Sequence, residues 1–241
     1  MLKLVKIFVE GIADKKFLED YFHHVFSDFE LPPDINVIDT GGWTNISSQK
    51  EKGENIRNQM KRNTANDGVN LVIFDADKDF ATRKNEIEQW KTNEKLNFEL
   101  FLFPNDNDSG DLEDLLEKII LDKNQPIFNC WESYETCLQE FASEKIGKKL
   151  TTPAKKTKIY GYLEALLGDS KSEKEKIKEK NRNYKNIAHW NLNTDYLKPL
   201  KEFSEKHSLS IDPQVDQVGA NRVQNVFSTC IKISIIAFLV L

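Results

Sequence analysis

Short apolar runs alternate with helix-periodic stretches along the first half of the chain. Residues 4–9, LVKIFV, are rich in β-branched and aromatic side chains and stop at Glu10-Gly11. The following DKKFLEDYFHHVF then sets Phe17, Leu18, Tyr21, Phe22 and Val25 three or four apart, which predicts a strand, a turn and a helix. INVID at 35–39 predicts a second strand ending in Thr40-Gly41-Gly42, with polar loop to about residue 53 and a helix over 54–62. NLVIF at 70–74 is nearly continuously apolar, as in a strand buried on both faces, and delivers Asp75, Asp77 and Asp79 just past its end. A helix over 82–95, a strand over 98–103, a loop over 104–110 and an amphipathic helix over 111–120 complete the series. Strands alternating with helices imply an α/β fold, a mainly parallel sheet flanked by helices and joined by right-handed crossovers.

Beyond Pro126 the pattern changes. Residues 128–141, 158–167 and 196–203 carry apolar positions at helical spacing, so a helical carboxy-terminal extension is expected. The Lys/Glu-rich KSEKEKIKEKNRNYK between them is either an exposed helix or a loop. The expected division is an α/β domain over 1–125, the extension over 126–225 and an apolar tail over 226–241. The last twelve residues, CIKISIIAFLVL, fall short of the roughly 20 needed to cross a bilayer as a helix. The tail is expected to pack against the protein or a partner, with an interfacial anchor as the alternative, and no full membrane span is expected.

Charge adds a second asymmetry. The net charge of −5 argues against a protein that coats nucleic acid through many phosphate contacts. Yet residues 145–185 hold thirteen Lys and Arg against five Asp and Glu, a balance of +8 that leaves −13 elsewhere. Lys148, Lys149, Lys155, Lys156 and Lys158 could guide a nucleic-acid backbone, with Tyr160 and Tyr162 nearby for base stacking; a plain solvated face is the competing reading. A homo-oligomer or a partner protein held by the helical part and the tail is also expected. Cys130, Cys137 and Cys230 have neither zinc-site spacing nor even pairing, and the opening MLKLVKIFVEG has no secretory character, so a cytoplasmic setting is expected.

Candidate chemistry lies at the strand ends. In an open parallel sheet the ligand crevice is beyond the carboxyl ends of the strands, where Glu10, Asp75 and Asp77 fall. Carboxylates gathered there repel one another unless protons or a cation intervene, and a hard divalent ion such as Mg2+ or Mn2+ suits oxygen ligands. Asp75 and Asp77 would bind the ion, and Glu10 would serve as general acid or base or as a further ligand. Asp-Ala-Asp after a strand is by itself a weak signal, because acids also cap helices. A third acidic stretch, PNDNDSGDLEDLL, strengthens it. His23, His24 and His189 are expected to be structural, Thr40-Gly41-Gly42 a glycine turn rather than a phosphate cradle, and Lys78 a solvated turn residue.

VEGIADKKFL followed some sixty residues later by VIFDADKD resembles the two signature motifs of the Toprim domain. That domain occurs in topoisomerases, bacterial primases and nucleases of the overcoming-lysogenization-defect type, and the resemblance covers about residues 1–125. LFLFPNDNDSGDLEDLL and YKNIAHWNL resemble stretches of uncharacterised bacterial stand-alone Toprim-like proteins. The resemblance implies that Glu10 matches the family glutamate and Asp75 and Asp77 the metal-binding pair. Asp14 would match the acid that follows Glu-Gly in the nuclease branch, with Glu113 or Asp111 as further ligands. Nothing resembles a topoisomerase tyrosine module, a primase zinc domain or a phosphate-binding Gly-x-x-x-x-Gly-Lys loop. The implied activity is metal-dependent cleavage of a DNA or RNA phosphodiester, in phage defence or nucleic-acid processing. The alternative is a non-catalytic metal- or nucleotide-binding regulatory module.

Overall fold

In the computed structural model residues 4–26, 35–141 and 150–207 are described. Lys148, Lys149, Cys230 and the apolar tail lie outside them. Four strands, β1 (Val5–Val9), β2 (Ile35–Asp39), β3 (Val69–Asp75) and β4 (Glu99–Phe103), form one all-parallel sheet in the order β2-β1-β3-β4. β1 runs beside β3 with Val9 opposite Ile73, and β3 beside β4 with Asp75 opposite Phe103. Alternate side chains leave the sheet on opposite faces, and the two faces bury separate cores.

Phe8, Val72, Phe74 and Leu102 face a cluster with Ile56 and Met60 of α3 (Glu51–Ala65) and Ile87 and Trp90 of α4 (Phe80–Asn93). Ile7, Val9, Ile73, Phe101 and Phe103 face the other way, toward α1 (Ile12–Val25) and α5 (Leu112–Lys118). β3 is therefore apolar from Leu71 to Phe74 because it is covered on both sides. A one-turn helix, α2 (Trp43–Ile46), occupies part of the stretch expected as loop. It carries little apolar periodicity, and its Trp43 ring lies 5.4 Å from Trp90, so tertiary packing rather than local pattern holds it.

The extension comprises α6 (Gln125–Glu140), α7 (Lys155–Leu167), α8 (Lys171–Ile177) and α9 (Lys198–Lys206). It adds Ile159, Tyr162, Leu163, Ile177, Tyr184, Trp190 and Leu200 to the core that already contains α1 and α5. Several long-range contacts fasten it, three of them hydrogen bonds to backbone atoms of the extension or of the residue that ends α5. Tyr184 N donates to Asp20 Oδ2 at 2.8 Å, Tyr21 Oη to the Leu197 carbonyl at 3.3 Å, and Asn191 N to the Ile119 carbonyl at 2.6 Å. The Lys/Glu-rich stretch forms α8 and a 3-10 turn at Glu179–Asn181, then turns inward with Arg182 and Tyr184 buried. No helix among the described residues is long and apolar enough to cross a membrane.

Because Trp190 is buried in a core shared by sheet and extension, Trp190→Ala should destabilise the whole chain by about 3–5 kcal/mol. Urea unfolding followed by circular dichroism should show one transition moved to lower denaturant; two separated transitions would contradict a common core.

Candidate functional site

Parallel strands place all their carboxyl ends on one edge, and the acids collect there. Glu10 follows β1, Asp39 ends β2 and Asp75 ends β3. α1 starts at once after Gly11, so Asp14 returns to the same edge, where its Oδ2 accepts from Gly11 N at 2.7 Å. Asp111 caps α5 by accepting from Asp114 N at 3.0 Å, and Leu112 N, the first amide of that helix, donates to Asp75 Oδ1 at 3.1 Å. The loops after β3 and β4 are fastened together. Asp77, at φ 54°, donates its N–H to the Gly110 carbonyl at 2.8 Å, and Phe80 N donates to Ser109 Oγ at 3.0 Å. Asp79 is a helix cap, accepting from Thr82 N at 2.6 Å.

The three acids singled out in the sequence divide into two environments. Glu10 Oε1 pairs with Arg83 Nη2 at 2.8 Å and also accepts from Asp75 N at 3.3 Å. Asp77, largely exposed, reaches the same Arg83 nitrogen at 3.4 Å. Arg83 is itself buried and stacks on Trp43 at 4.9 Å. Asp75 instead belongs with Asp14, Asp111 and Glu113. Desolvation, then the charges of Asp14, Glu10, Asp111 and Glu113, push the Asp75 carboxyl well above its ordinary range. Burial, partly offset by the Gly11 N–H and reinforced by Glu10, Glu113 and Asp39, pushes Asp14 up to about 7. Desolvation also raises Asp111 and Glu113.

This donor set suits a hard divalent cation in chemistry: several oxygen ligands whose mutual repulsion only protons or a positive ion relieve. As arranged, no group of three His, Cys, Asp or Glu side chains among the described residues is placed to hold a metal ion. Arg83 already neutralises the outer pair, Glu10 and Asp77, and its Nε donates to the Asp75 carbonyl at 3.3 Å, whereas among the described residues no ion pair reaches the Asp14 or Asp75 carboxyl.

The candidate basic surface is mostly engaged within the chain. Lys155 bridges Asp111 at 3.2 Å and Asp114 at 2.5 Å. Lys156 pairs with Glu179. Lys158 is buried, pairs with Glu117 at 2.9 Å and lies over the Phe128 ring at 5.0 Å, which is a packing role. Tyr162 is also buried and donates to the His189 carbonyl at 2.6 Å, so it cannot stack on a base; that expectation is corrected. His189 is buried beside Asn186, as expected of a structural histidine. The glycine turn does lie at the crevice. Its Gly41 amide is taken by Asp39 Oδ1 at 2.7 Å, while a Cβ on Gly42 would come 3.9 Å from Glu10 Oε2.

Arg83, Asp39 and Arg182 were not anticipated. Asp39 carried the same signal as Asp75, an acid closing a strand. Arg83 sits near the amino-terminal end of α4, where a cation is unfavourable with the helix dipole, a local conflict that points to an acidic partner elsewhere.

The family model described as a protein of unknown function, DUF3226, matches residues 5–203, so the α/β sheet, its acidic edge and the extension together form one family unit. The chain belongs to the DUF3226 family. Neither the comparison with curated proteins nor that with solved structures gives a match.

The raised carboxyls fix a pH dependence for the ion-free protein. Folded Asp14 titrates near 7 against an ordinary 3.8, so the folded state keeps a proton that the unfolded state loses. Stability should therefore fall as pH rises from about 4 to 7 and level off above, the loss from this group being about 1.4 kcal/mol for each pH unit crossed. Asp75→Asn, which removes one of the repelling charges, should raise Tm in chelator at pH 7.5 by about 2–4 °C for each kcal/mol recovered. Thermal scans across this range would show the opposite if the cluster stabilised the fold when ionised.

Proposed function

We propose that this chain is a Mg2+- or Mn2+-dependent nuclease, or a related phosphodiester-processing enzyme, of the Toprim kind. The observation that supports this reading best is the Asp14–Asp75 pair at the ligand edge of a parallel sheet. Asp14 is buried and Asp75 half-buried; both carboxyls are raised by their surroundings, and no counter-cation among the described residues features in the charges acting on them. Such uncompensated charge costs stability and is characteristic of functional sites. To hold the ion, Asp14, Asp75 and Glu113, with Glu10 and Asp77 beside them, would have to draw closer together than they stand at rest. A divalent cation there would supply neutralisation, polarisation of the phosphorus centre and a bound water of lowered pKa.

The protein's own groups have separate tasks in this reading. Arg83 fixes Glu10 through Oε1, leaving Oε2 toward the Gly42 turn as the oxygen that takes a proton from an attacking water. Arg83 is also a cation beside Glu10 and Asp77, suited to charge that develops on a phosphate. The Leu112 N–H holds Asp75 in place without competing for its other oxygen. Nucleic acid is the proposed substrate, in phage defence or nucleic-acid processing. Exposed, unpaired Cys130 and Cys137 suit a reducing cytoplasm, and exposed Tyr134 and Phe141 on and beside α6 offer a face to a second copy or a partner protein.

A non-catalytic metal- or nucleotide-binding role is the second reading, favoured by the resting neutralisation of Glu10 and Asp77 by Arg83. Labelled single- and double-stranded DNA and RNA, incubated with magnesium, manganese or chelator, separate the two. Metal-dependent cleavage is expected, lost in Asp75→Ala/Asp77→Ala and lowered roughly 100-fold or more in kcat by Glu10→Gln. Metal-induced thermal stabilisation without cleavage of any substrate would instead support the binding module.

A further inference from the structure

Arg182 is 1% exposed, the most thoroughly buried charged side chain among the described residues, and its Nη2 has no hydrogen-bond partner there. Its other contacts do not balance its charge. Nε donates to the Ile177 carbonyl at 3.3 Å and Nη1 to Tyr184 Oη at 3.1 Å, while the guanidinium lies 5.2 Å from the Tyr160 ring centre and 5.7 Å from that of Tyr184. Leaving a charged donor unpaired in the interior is costly, and an unpaired group of this kind calls for a ligand.

The surroundings indicate which ligand. Tyr160 lies one turn beyond Lys156 on α7, whose amino terminus has Ala154 at the cap position, no capping side chain and no acid in its first turn. Lys155 ties this helix end to Asp111 and Asp114 of the acidic edge, so Lys156, Arg182 over the Tyr160 ring and the helix end concentrate positive charge beside that edge. One acid occupies the place. Glu179 Oε1 is buried and meets Lys156 Nζ in an ion pair. Glu179 sits three residues before Arg182 in the same short turn, and the Arg182 amide leans on its carbonyl at 3.4 Å.

We propose that Lys156 and Arg182 form a phosphate-binding subsite next to the carboxylate cluster, and that Glu179 fills it at rest as an internal stand-in for the phosphate. A phosphate oxygen takes the place of the Glu179 carboxylate on Lys156 Nζ and reaches Arg182 Nη2, completing the guanidinium nitrogen left unpaired. The inference deepens the proposed nuclease reading by naming where a substrate phosphate is held, and it rests on that reading only for the identity of the phosphate's owner.

The experiment uses the full chain and three variants, Lys156→Gln, Arg182→Met and Glu179→Gln. Binding of inorganic phosphate, a nucleoside monophosphate and a short oligonucleotide is measured by calorimetry in chelator, so that neither metal nor turnover is required. Lys156→Gln should weaken phosphate-bearing ligands on the order of tenfold. Glu179→Gln should tighten them by a similar factor, a gain that a purely structural ion pair would not give. Arg182→Met, checked for its fold by circular dichroism, should weaken binding as Lys156→Gln does. Tightening confined to the oligonucleotide assigns the site to a nucleic-acid phosphate; tightening for all three assigns it to phosphate in general. Unchanged affinity in both Lys156→Gln and Glu179→Gln, or no binding of any of the three by the wild type, overturns the subsite. Loss of the nuclease reading alone would show as absent cleavage with these binding changes intact.

Discussion

Four strands that run the same way have all their carboxyl ends on one edge, and this constraint organises the rest of the protein. Short turns bring Glu10, Asp39 and Asp75 together there, and the helices that follow return Asp14 and Asp111 to the same place. A fold chosen for packing alone would not collect so many like charges in a partly dry crevice, since each raises the cost of ionising its neighbours. The sheet therefore supplies strongly negative ground, and the remainder of the chain has to manage it.

It does so with cations from two sources. Arg83 comes from the first helix after the central acidic turn and takes Glu10 and Asp77. Lys155 comes from the extension and takes Asp111 and Asp114, while Lys156 and Arg182 stand beside Glu113. Among the described residues the inner acids, Asp14 and Asp75, are left without a counter-ion. Ion pairs thus lie around the rim, and among the described residues none reaches the Asp14 or Asp75 carboxyl at the centre.

Much of the sheet was legible because its signals are local. Buried strands such as NLVIF announce themselves by nearly continuous apolarity, and an acid just past such a strand can be placed at the crevice edge without knowing anything else. The helices of the extension were legible by periodicity. What escaped was pairing at long range. Lys158 and Tyr162 looked like surface candidates within a basic stretch, yet Lys158 is covered by Glu117 and Phe128 and Tyr162 by Trp190 and His189. The inward turn of Arg182 and Tyr184 out of a lysine-rich run was likewise invisible, because it depends on Asp20 and Phe17 some 160 residues earlier. The one-turn α2 was missed because a single tryptophan packed edge-on against another carries no periodicity.

The contacts between α1 and the last described residues also set an order of events during synthesis. Asp20 receives its partner from Tyr184, and Tyr21 from Leu197, 164 and 176 residues further along the chain. At a ribosomal rate of roughly 5–20 residues per second, the apolar flank of α1 emerges about ten to thirty seconds before the groups that cover it. α1 is thus sealed only after the extension has emerged, so the nascent chain presents the apolar flank of that helix to chaperones until then.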